Sequence, residues 1–249
     1  MSTDLLQKPD AILLVDKKTS VSSFDVIRRI KGAFRVAGNI QKLSKIGHAG
    51  TLDPIASGLL IILINAATKK SESFLTLDKA YEAELLIGQS TDTYDSTGEV
   101  LDRLSLMHDY FDAGKNEDTL KRAIDSFVGE IMQEPPMYSA IKKNGSPLYK
   151  LARKGITVER EKRKCNIYAV DHAGSPLYDI EKQAFKYTFK VKCSKGTYIR
   201  SLCHDIGIKL NIPCHMSGLR RTEVGPYSVS KALAFDDINF DSVMAALIY

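Results

Sequence analysis

The sequence predicts an α+β fold in which a mixed, mostly antiparallel central sheet is flanked by helices. Three observations lead to this class. Strand-like and helix-like patterns follow one another without the regular βαβ rhythm that builds a parallel sheet. The chain has 249 residues and can bury one large core without disulfides or structural metals. Hydrophobic residues make up 44% and charged residues 26%, a composition that argues against a fully disordered chain.

Apolar runs and alternating patterns predict the strands. The run from Ala11 to Val15 is short and apolar, and the run from Leu59 to Ile64 is typical of a buried strand. Gly47 to Pro54 contains two glycines and a proline without helical periodicity, which predicts a structured loop. The remaining predicted strands are Ala80 to Ile87, Cys165 to Val170, Phe185 to Cys193 and Leu219 to Val224.

Capping residues and the 3.6-residue period predict the helices. Ser22 or Ser23 caps a helix that runs to about Phe34, with Val26, Ile27, Ile30 and Phe34 on one face. Ser146 caps a short helix through Lys154, with Pro147 at its first position, where a missing N–H costs nothing. Other helices are expected at Lys69 to Leu75, Asp118 to Phe127, Thr197 to Leu210 and in the tail after Ser230.

The chain is predicted to be one domain, 1–249, with a sub-lobe at about 106–184. No apolar run approaches the ~18 residues that a membrane span requires. The N-terminal MSTDLLQKPD contains no basic region followed by an apolar stretch, so no secretory signal is visible. We therefore expect a cytoplasmic protein without a membrane partner.

Charge is unevenly distributed along the chain. The net charge is +5, with a sequence pI of about 8.9. The stretch from Arg28 to His48 contains six Lys and Arg residues and no acids, and Lys142 to Lys164 contains nine bases against two acids. Between them, Glu72 to Glu134 contains fifteen acids against five bases. Basic clusters of this kind are expected where a protein holds nucleic acid, although solvated charged faces are equally common.

The four cysteines form no CxxC motif, and without a visible secretory signal we expect no disulfide framework. A zinc site could be formed by the two Cys-His pairs, Cys203-His204 and Cys214-His215. Adjacent residues on a helix point about 100° apart, so both members of a pair rarely face one ion. Cys203 also shares an apolar stripe with Ile206 and Leu210. The interpretation as a core residue is therefore favoured over a metal ligand.

The segment from Gly47 to Leu60 is the strongest candidate for chemistry. It places His48 and Asp53 near glycines, directly before a buried strand. Pro54 restricts Asp53 to extended geometry, so its carboxylate is held in place. A carboxylate held in this way can act as a nucleophile or a base. The alternative is an ordinary turn, because Asp-Pro and Gly-His are common in loops.

Segments in chain order match the motifs of one enzyme family. They are Gly47 to Leu60 (Gly-His-x-Gly-x-Leu-Asp-Pro-x-Ala-x-Gly-x-Leu), Lys79-Ala80-Tyr81, Asp92-Thr93-Tyr94-Asp95, Pro135 to Lys142, Ser194 to Arg200 and Leu219-Arg220-Arg221-Thr222. On these residues the chain resembles the TruB-type tRNA pseudouridine synthases, from about Ala11 to Leu233. The resemblance implies the pseudouridine synthase fold and conversion of uridine 55 in the T-loop of tRNA, by base flipping and an aspartate nucleophile.

The resemblance also implies the site residues. Asp53 matches the essential aspartate, Tyr81 the tyrosine that stacks on the flipped uracil, and Arg200 the arginine that pairs with the aspartate. The substrate site is implied to include His48, Tyr81, Tyr198, Arg200 and Leu219. From the residues alone, each of these could instead be a core or surface residue.

Two departures from the family are visible. The first family motif usually reads Lys-Pro-x-Gly-x-[Ser/Thr]-Ser, whereas here Lys18 and Ser20 occupy the Pro and Gly places. The turn is therefore expected to differ in shape, and Lys17 is assigned no site role. Only 28 residues follow Arg221, too few for the RNA-binding PUA domain that many members carry. The sequence thus predicts the catalytic domain alone.

An isomerisation of this kind requires no cofactor. Nothing is oxidised, and neither a Rossmann nor a P-loop glycine pattern is present, so no redox cofactor, nucleotide cofactor or metal is predicted. The predicted partner is the T-arm of tRNA, and the protein is expected to be a monomer. The alternatives are an RNA-binding tRNA folding factor in which catalysis is secondary, and a zinc-dependent nucleic-acid-binding protein.

Overall fold

The computed structural model describes residues 9–111, 114–143 and 145–249, which form two compact units. The terminal unit combines both ends of the chain, with described residues 9–81 and 220–249. The inserted unit is formed by residues 82–219 and contains the whole of the lobe predicted at 106–184. That the chain works as one catalytic domain stays a prediction.

Helices and strands are mixed along the chain, as predicted. The α-helices are α1 (Ser23–Val36), α2 (Ser71–Leu75), α3 (Lys115–Asp125), α4 (Leu148–Ala152), α5 (Ile199–Leu210) and α6 (Phe240–Ala245). The strands are β1 (Ala11–Lys17), β2 (Ile46–Ala49), β3 (Ala56–Ile64), β4 (Lys79–Ile87), β5 (Gln89–Thr91), β6 (Val100–Arg103), β7 (Gly129–Gln133), β8 (Lys142–Lys143), β9 (Ser146–Pro147), β10 (Arg163–His172), β11 (Leu177–Asp179), β12 (Ala184–Cys193), β13 (Cys214–Val224), β14 (Tyr227–Ser228) and β15 (Leu233–Ala234). None of the helices formed by the described residues is long and apolar enough to cross a membrane.

In the terminal unit the strand order is β15-β1-β3-β13, with β2 paired to β3. The strands β1 and β3 are antiparallel along the whole of β1, and the register places Lys17 opposite Gly58. The pair of β1 and β15 is parallel, so the sheet is mixed. The end of β1 therefore lies beside the start of β3, next to the loop that precedes β3.

The core of the terminal unit forms on β1 and β3. Leu14, Leu59, Ile61 and Phe74 belong to one cluster of buried residues. Because side chains alternate across a strand, Leu60 and Ile62 point to the other face, and both are fully buried. The strand β3 is therefore covered on both faces, as its continuous apolar run predicts.

The helix α1 confirms its predicted cap. The hydroxyl of Ser22 accepts a hydrogen bond from the backbone N–H of Asp25 at 3.2 Å, and the Asp25 carboxylate accepts the N–H of Ser22 at 2.8 Å. This reciprocal pair is a capping box, which satisfies two backbone donors at the helix start. The predicted apolar face of Val26, Ile27, Ile30 and Phe34 is buried.

In the inserted unit the strand order is β13-β4-β12-β10-β7, with β11 on β12. The strand β10 is antiparallel to both β7 and β12, and its pairing with β12 has a register shift between Ile167 and Ala169. Antiparallel pairs thus predominate in both units, which confirms the predicted α+β class.

Some local predictions were wrong. Gly47 and His48 lie in β2 rather than in a loop, because β2 pairs with the buried β3. Ser146 does not cap a helix: it forms the short strand β9 with Pro147, and α4 begins at Leu148. The tail after Ser230 contains α6, but before it come a short strand and the 3₁₀ helix Phe235–Asp237.

Candidate active site

The loop predicted to carry the chemistry joins β2 to β3 in the terminal unit. His48 and Ala49 belong to β2, so the loop itself is residues 50–55. Asp53 is half-buried, and its carbonyl accepts the N–H of Ala56 at 3.0 Å. This bond closes a turn directly before β3. The loop is therefore attached to a strand that cannot shift without disturbing the core.

Residues 20–23 hold the backbone on both sides of Asp53. The hydroxyl of Ser23 donates to the carbonyl of Leu52 at 3.1 Å and accepts the N–H of Leu52 at 2.9 Å. The N–H of Ser20 donates to the carbonyl of Pro54 at 2.8 Å. Because Leu52 and Pro54 flank Asp53, these bonds limit the positions that its carboxylate can reach.

Ser20 adopts the left-handed conformation that a glycine adopts easily. Its φ is +63°, and it occupies the place where the family motif usually has glycine. The serine at this position therefore accepts a conformation that costs a residue with a Cβ roughly 1 kcal/mol. This backbone angle does not support the expectation that the turn of the altered first motif differs in shape from that of the family.

The side chain of Arg221 holds the other end of the loop. Arg221 is 2% exposed. Its Nε donates to the carbonyl of Leu59 at 2.8 Å, and Nη2 donates to the carbonyl of Gly50 at 3.0 Å. The backbone of Arg221 passes so close to Gly58 that a Cβ added at Gly58 would lie 2.2 Å from the Arg221 carbonyl oxygen. Only glycine fits there, which explains that position of the motif.

Lys17 is a buried cation beside Asp53. Its side chain is fully buried, and its Nζ donates to the carbonyls of Val21 at 2.7 Å and of Ala56 at 2.5 Å. Burial lowers the pKa of Lys17 to about 8, while the charge of Asp53 raises it and the charge of Arg221 lowers it. Most Lys17 side chains are therefore still charged at neutral pH.

His48 contributes a neutral ring to the same unit. Burial lowers the pKa of His48 below its ordinary value, and the charge of Arg221 lowers it further. Within the described residues, its buried Nδ1 has no hydrogen-bond partner. A polar atom left in this way is available to a substrate group, since buried polar atoms are normally paired.

Tyr81 lies in the first part of β4 and is half-buried. The neighbouring Lys79 is 8% exposed, and its ammonium donates to the carbonyls of Leu75 at 2.8 Å and of Leu77. These bonds connect the turn after α2 to the first residue of β4. The lysine of the Lys-x-Tyr motif thus fixes the strand on which the tyrosine stands.

Arg200 lies in the inserted unit, in the first turn of α5, and is 6% exposed. Its guanidinium donates to the carbonyls of Thr93 at 3.2 Å and of Tyr138 at 2.8 Å. It also faces the carboxylate of Asp95 at 3.6 Å. Arg200 therefore connects three of the matched motifs, namely those that contain Asp95, Tyr138 and Arg200 itself.

The predicted site residues divide between the two units. Asp53, His48 and Tyr81 belong to the terminal unit, whereas Tyr198, Arg200 and Leu219 belong to the inserted unit. Tyr198 directly precedes α5 and Leu219 lies on β13, and both are half-buried. The pairing of Arg200 with Asp53 stays a prediction.

The histidines of the two Cys-His pairs have different partners. Cys203 and Cys214 are buried thiols, and burial raises the pKa of each. The ring of His204 stacks on Tyr94 at 3.9 Å between centroids, while Nδ1 of His215 lies 2.8 Å from the carbonyl of Gln89. In the part of the chain that the structure describes, no group of three or more His, Cys, Asp or Glu residues could hold a metal ion.

Sequence reasoning assigned no site role to Lys17 or Arg221. Lys17 belongs to the altered first motif, and Arg221 belongs to the Leu-Arg-Arg-Thr motif in which only Leu219 was given a role. The available signal was a lysine at the end of an apolar strand, since a cation there must either reach solvent or be buried with partners. The pattern alone does not distinguish these outcomes.

Solved structures share this fold. A structure of an H/ACA RNP bound to a substrate RNA containing 2'-deoxyuridine is 25% identical, with a TM-score of 0.60, and the match covers 92% of this chain and 52% of that one. An archaeal box H/ACA sRNP complex is 25% identical, with a TM-score of 0.61, covering 93% of this chain and 53% of that one. The chain thus spans about half the length of these solved proteins.

Curated relatives match over most of the chain. The tRNA pseudouridine synthase B of Clostridium tetani is 44% identical over 240 residues, which is 96% of this chain and 76% of the relative. The protein of the same name from Burkholderia pseudomallei (strain 668) is 44% identical over 230 residues, which is 92% of this chain and 69% of the relative.

Two family models match successive parts of the chain. The model described as "TruB family pseudouridylate synthase (N terminal domain)" matches residues 38–199, and that described as "tRNA pseudouridylate synthase B C-terminal domain" matches residues 200–246. These matches, with the curated relatives, define the class, an isomerase that forms pseudouridine in tRNA. The chain belongs to the TruB family of pseudouridylate synthases.

Proposed function

We propose that this chain converts uridine 55 in the T-loop of tRNA to pseudouridine, with Asp53 as the nucleophile. The observation that carries the proposal is the carboxylate of Asp53. It lies in a loop whose backbone is held by Ser20, Ser23 and Arg221, and its charge acts on the buried ammonium of Lys17. The names of the relatives supply tRNA as the substrate class.

The reaction balances without a co-reactant. The bond between C1′ and N1 of the uridine breaks, the base turns, and a bond forms between C1′ and C5. The proton of C5 leaves and N1 takes one up, so nothing is oxidised. Attack at C6, attack at C1′ and elimination to a glycal would all use the carboxylate of Asp53.

The charges around the loop favour an ionised aspartate. Lys17 carries its charge at neutral pH, and an opposite charge nearby favours the charged form of a carboxyl group. His48 is neutral at that pH because burial and Arg221 lower its pKa. At neutral pH the carboxylate of Asp53 is therefore accompanied by a charged Lys17 and a neutral His48.

The substrate base must leave its stack before a carboxylate can reach it. The ring of Tyr81 would stack on the uracil, a contact worth about 1–3 kcal/mol per base. Exposed bases on α1, including Arg28, Arg29 and Lys31, are candidates for tRNA phosphates. In the second basic stretch, Arg160 is paired with Glu134 and Lys164 with Glu130, so its effective charge is lower than the sequence count.

The proposal is tested by Asp53→Asn, which keeps the shape of the side chain and removes the nucleophile. Pseudouridine formation is measured in T-arm transcripts at saturating enzyme. We expect a loss of at least about 10⁴-fold, because no neighbouring group replaces a covalent nucleophile. The affinity for the transcript should stay within about threefold, since a single side chain at the reacting centre adds little to phosphate binding.

The matched control is Asp241→Asn, the same change at an exposed residue of α6. Near wild-type turnover by Asp53→Asn would refute the aspartate mechanism. Mapping pseudouridine in cellular tRNA with and without this protein tests the position, and an unchanged uridine 55 signal would refute that part. The proposal includes action as a monomer in the cytoplasm.

A further inference from the structure

Gln133 makes an unusual contact in the inserted unit. It is the last residue of β7 and is 3% exposed. Its Oε1 accepts the N–H of Tyr198 at 2.7 Å, and its Nε2 donates to the carbonyl of Tyr198 at 3.0 Å. One buried amide therefore binds both backbone groups of a single residue, in the way that a neighbouring strand would, and the carbonyl of Tyr198 also accepts the N–H of Leu202 at 3.0 Å.

The contact lies where the helix α5 begins. Tyr198 is the cap position of α5, and its side chain makes no capping hydrogen bond. The backbone donors at a helix start have no partner within the helix and must find one elsewhere. Gln133 supplies that partner for Tyr198, so it fixes the point and direction from which α5 starts.

A second bond extends the contact along the chain. The hydroxyl of Ser201 donates to the carbonyl of Glu134 at 2.8 Å. Residues 133–134 thus hold residues 198–201, and Arg200 lies inside this held segment. The guanidinium of Arg200 is anchored separately, by Thr93, Asp95 and Tyr138. Backbone and guanidinium are therefore fixed by different parts of the inserted unit.

We propose that Gln133 is a positioning residue for pseudouridine formation, acting through the backbone of Tyr198 on the placement of Tyr198 and Arg200. The inference rests on the proposed function, in which those two side chains belong to the substrate site. Gln133 itself contacts no reacting atom. Its amide is needed because only a group with a donor and an acceptor can bind both backbone groups of Tyr198.

The test is Gln133→Glu, an isosteric change whose protonation state can be set by pH. A neutral carboxylic acid can donate to the carbonyl of Tyr198 and accept its N–H, as the amide does. The carboxylate has no donor and would face that carbonyl in a buried site, which also raises the pKa of the new acid. Single-turnover rate and tRNA affinity are measured for wild type and variant between about pH 6 and pH 8.5.

At about pH 8.5 we expect the single-turnover rate of the variant to be at least about tenfold lower than that of wild type, because small misplacements at a reacting centre slow the reaction strongly. Its rate relative to wild type should recover as the pH falls. The affinity for tRNA should stay within about threefold throughout. A rate ratio that is independent of pH, or a loss confined to affinity, would overturn the proposal.

The other charged or ionisable side chains in this region are present in both proteins. They are Glu134 with its partner Arg160, and His204 and Asp205 on α5; burial lowers the pKa of His204 and raises that of Asp205 to about 6. Expressing the rate relative to wild type removes their contribution. Gln89→Glu is the matched control, because Gln89 is 5% exposed and its amide donates to the carbonyl of Lys182 at 3.0 Å rather than to Tyr198. The same pH recovery in that control would overturn the proposal.

Gln133→Met covers the case in which a buried carboxylate prevents folding. Methionine has nearly the same shape and can neither donate to nor accept from Tyr198. We expect a comparable loss of rate with no recovery at low pH, and a wild-type rate in this variant would refute the inference. Absence of product from the wild-type protein would instead refute the proposed function, so the two failures are distinguishable.

Discussion

Three buried lysine and arginine residues of the motif segments differ sharply from the exposed ones in the basic stretch 142–164. Lys17, Arg200 and Arg221 are 0%, 6% and 2% exposed, and each donates to backbone carbonyls. In the basic stretch, Lys142, Lys150 and Lys154 are exposed to solvent. The same residue types therefore serve two purposes, one within the fold and one on its surface.

The physical reason lies in the cost of burying a charge. A buried cation must be matched by carbonyls or carboxylates, so its position is tightly defined and it can position other groups. An exposed cation is screened by salt and moves freely, so it adds to binding over a distance but defines no geometry. Changes at buried cations should thus affect the chemical step, and changes at exposed ones should affect affinity.

Among the lysine and arginine residues, the largest effect is expected for Arg200→Ala. We predict a loss of about 100-fold or more in the single-turnover rate, with tRNA affinity within about threefold, because the proposed function places this side chain at the reacting centre. Arg200→Lys should recover little, since an ammonium cannot reproduce the planar fork that meets Thr93, Asp95 and Tyr138. Arg103→Ala, an exposed arginine on β6, is the control. A change confined to affinity would contradict the assignment.

Next comes a pH effect on stability at Lys17. Its pKa is about 8 in the folded chain against 10.5 ordinarily, so between these values the unfolded chain binds more protons and stability rises with pH. Compared with Lys17→Met, wild type should gain about 2 kcal/mol of unfolding free energy from pH 7 to pH 10. Denaturant unfolding at several pH values measures this difference.

The exposed neighbour Lys18 is the control for that measurement. The free-energy difference between wild type and Lys18→Met should change less over the same pH range than that for Lys17→Met, because Lys18 forms only a solvent-screened surface ion pair with Asp236. A constant difference for Lys17→Met would mean that burial does not set the protonation of Lys17.

The smallest effect is expected for reversal of exposed charges. The double variant with Lys150→Glu and Lys154→Glu should weaken tRNA binding by about tenfold and flatten its dependence on salt, since fewer counterions are released. The single-turnover rate at saturating enzyme should change little. Lys190→Glu with Lys192→Glu, exposed residues on β12, is the matched control. An unchanged salt slope would place residues 142–164 away from the RNA.

Much of the fold could be predicted because its causes are local. The cap at Ser22, the apolar face of α1 and the doubly buried β3 follow from residues within a few positions of one another. The short strand β9 could not be predicted, because Ser146 and Pro147 read equally well as a helix start. The prediction of β2 as loop was wrong because its strand character depends on pairing with β3.

For the candidate site, too, the sequence predicted the local motifs but not the contacts between distant residues. The motif order in the sequence singled out Asp53, Tyr81 and Arg200, and the structure supplies the contacts that hold the segments around them. The hydrogen bonds of Gln133 could not be predicted from the sequence, because their partner Tyr198 is 65 positions away.

By itself, the sequence determined the class of fold, the aspartate loop and the resemblance on which the proposed chemistry rests. These depend on short segments whose residue types and spacing are visible directly. The tertiary structure alone decided that Lys17 is a buried cation beside Asp53, and that Arg221 holds the loop through Gly50, 171 positions earlier in the chain. Burial and long-range electrostatics depend on which distant residues meet, and only the folded chain brings them together.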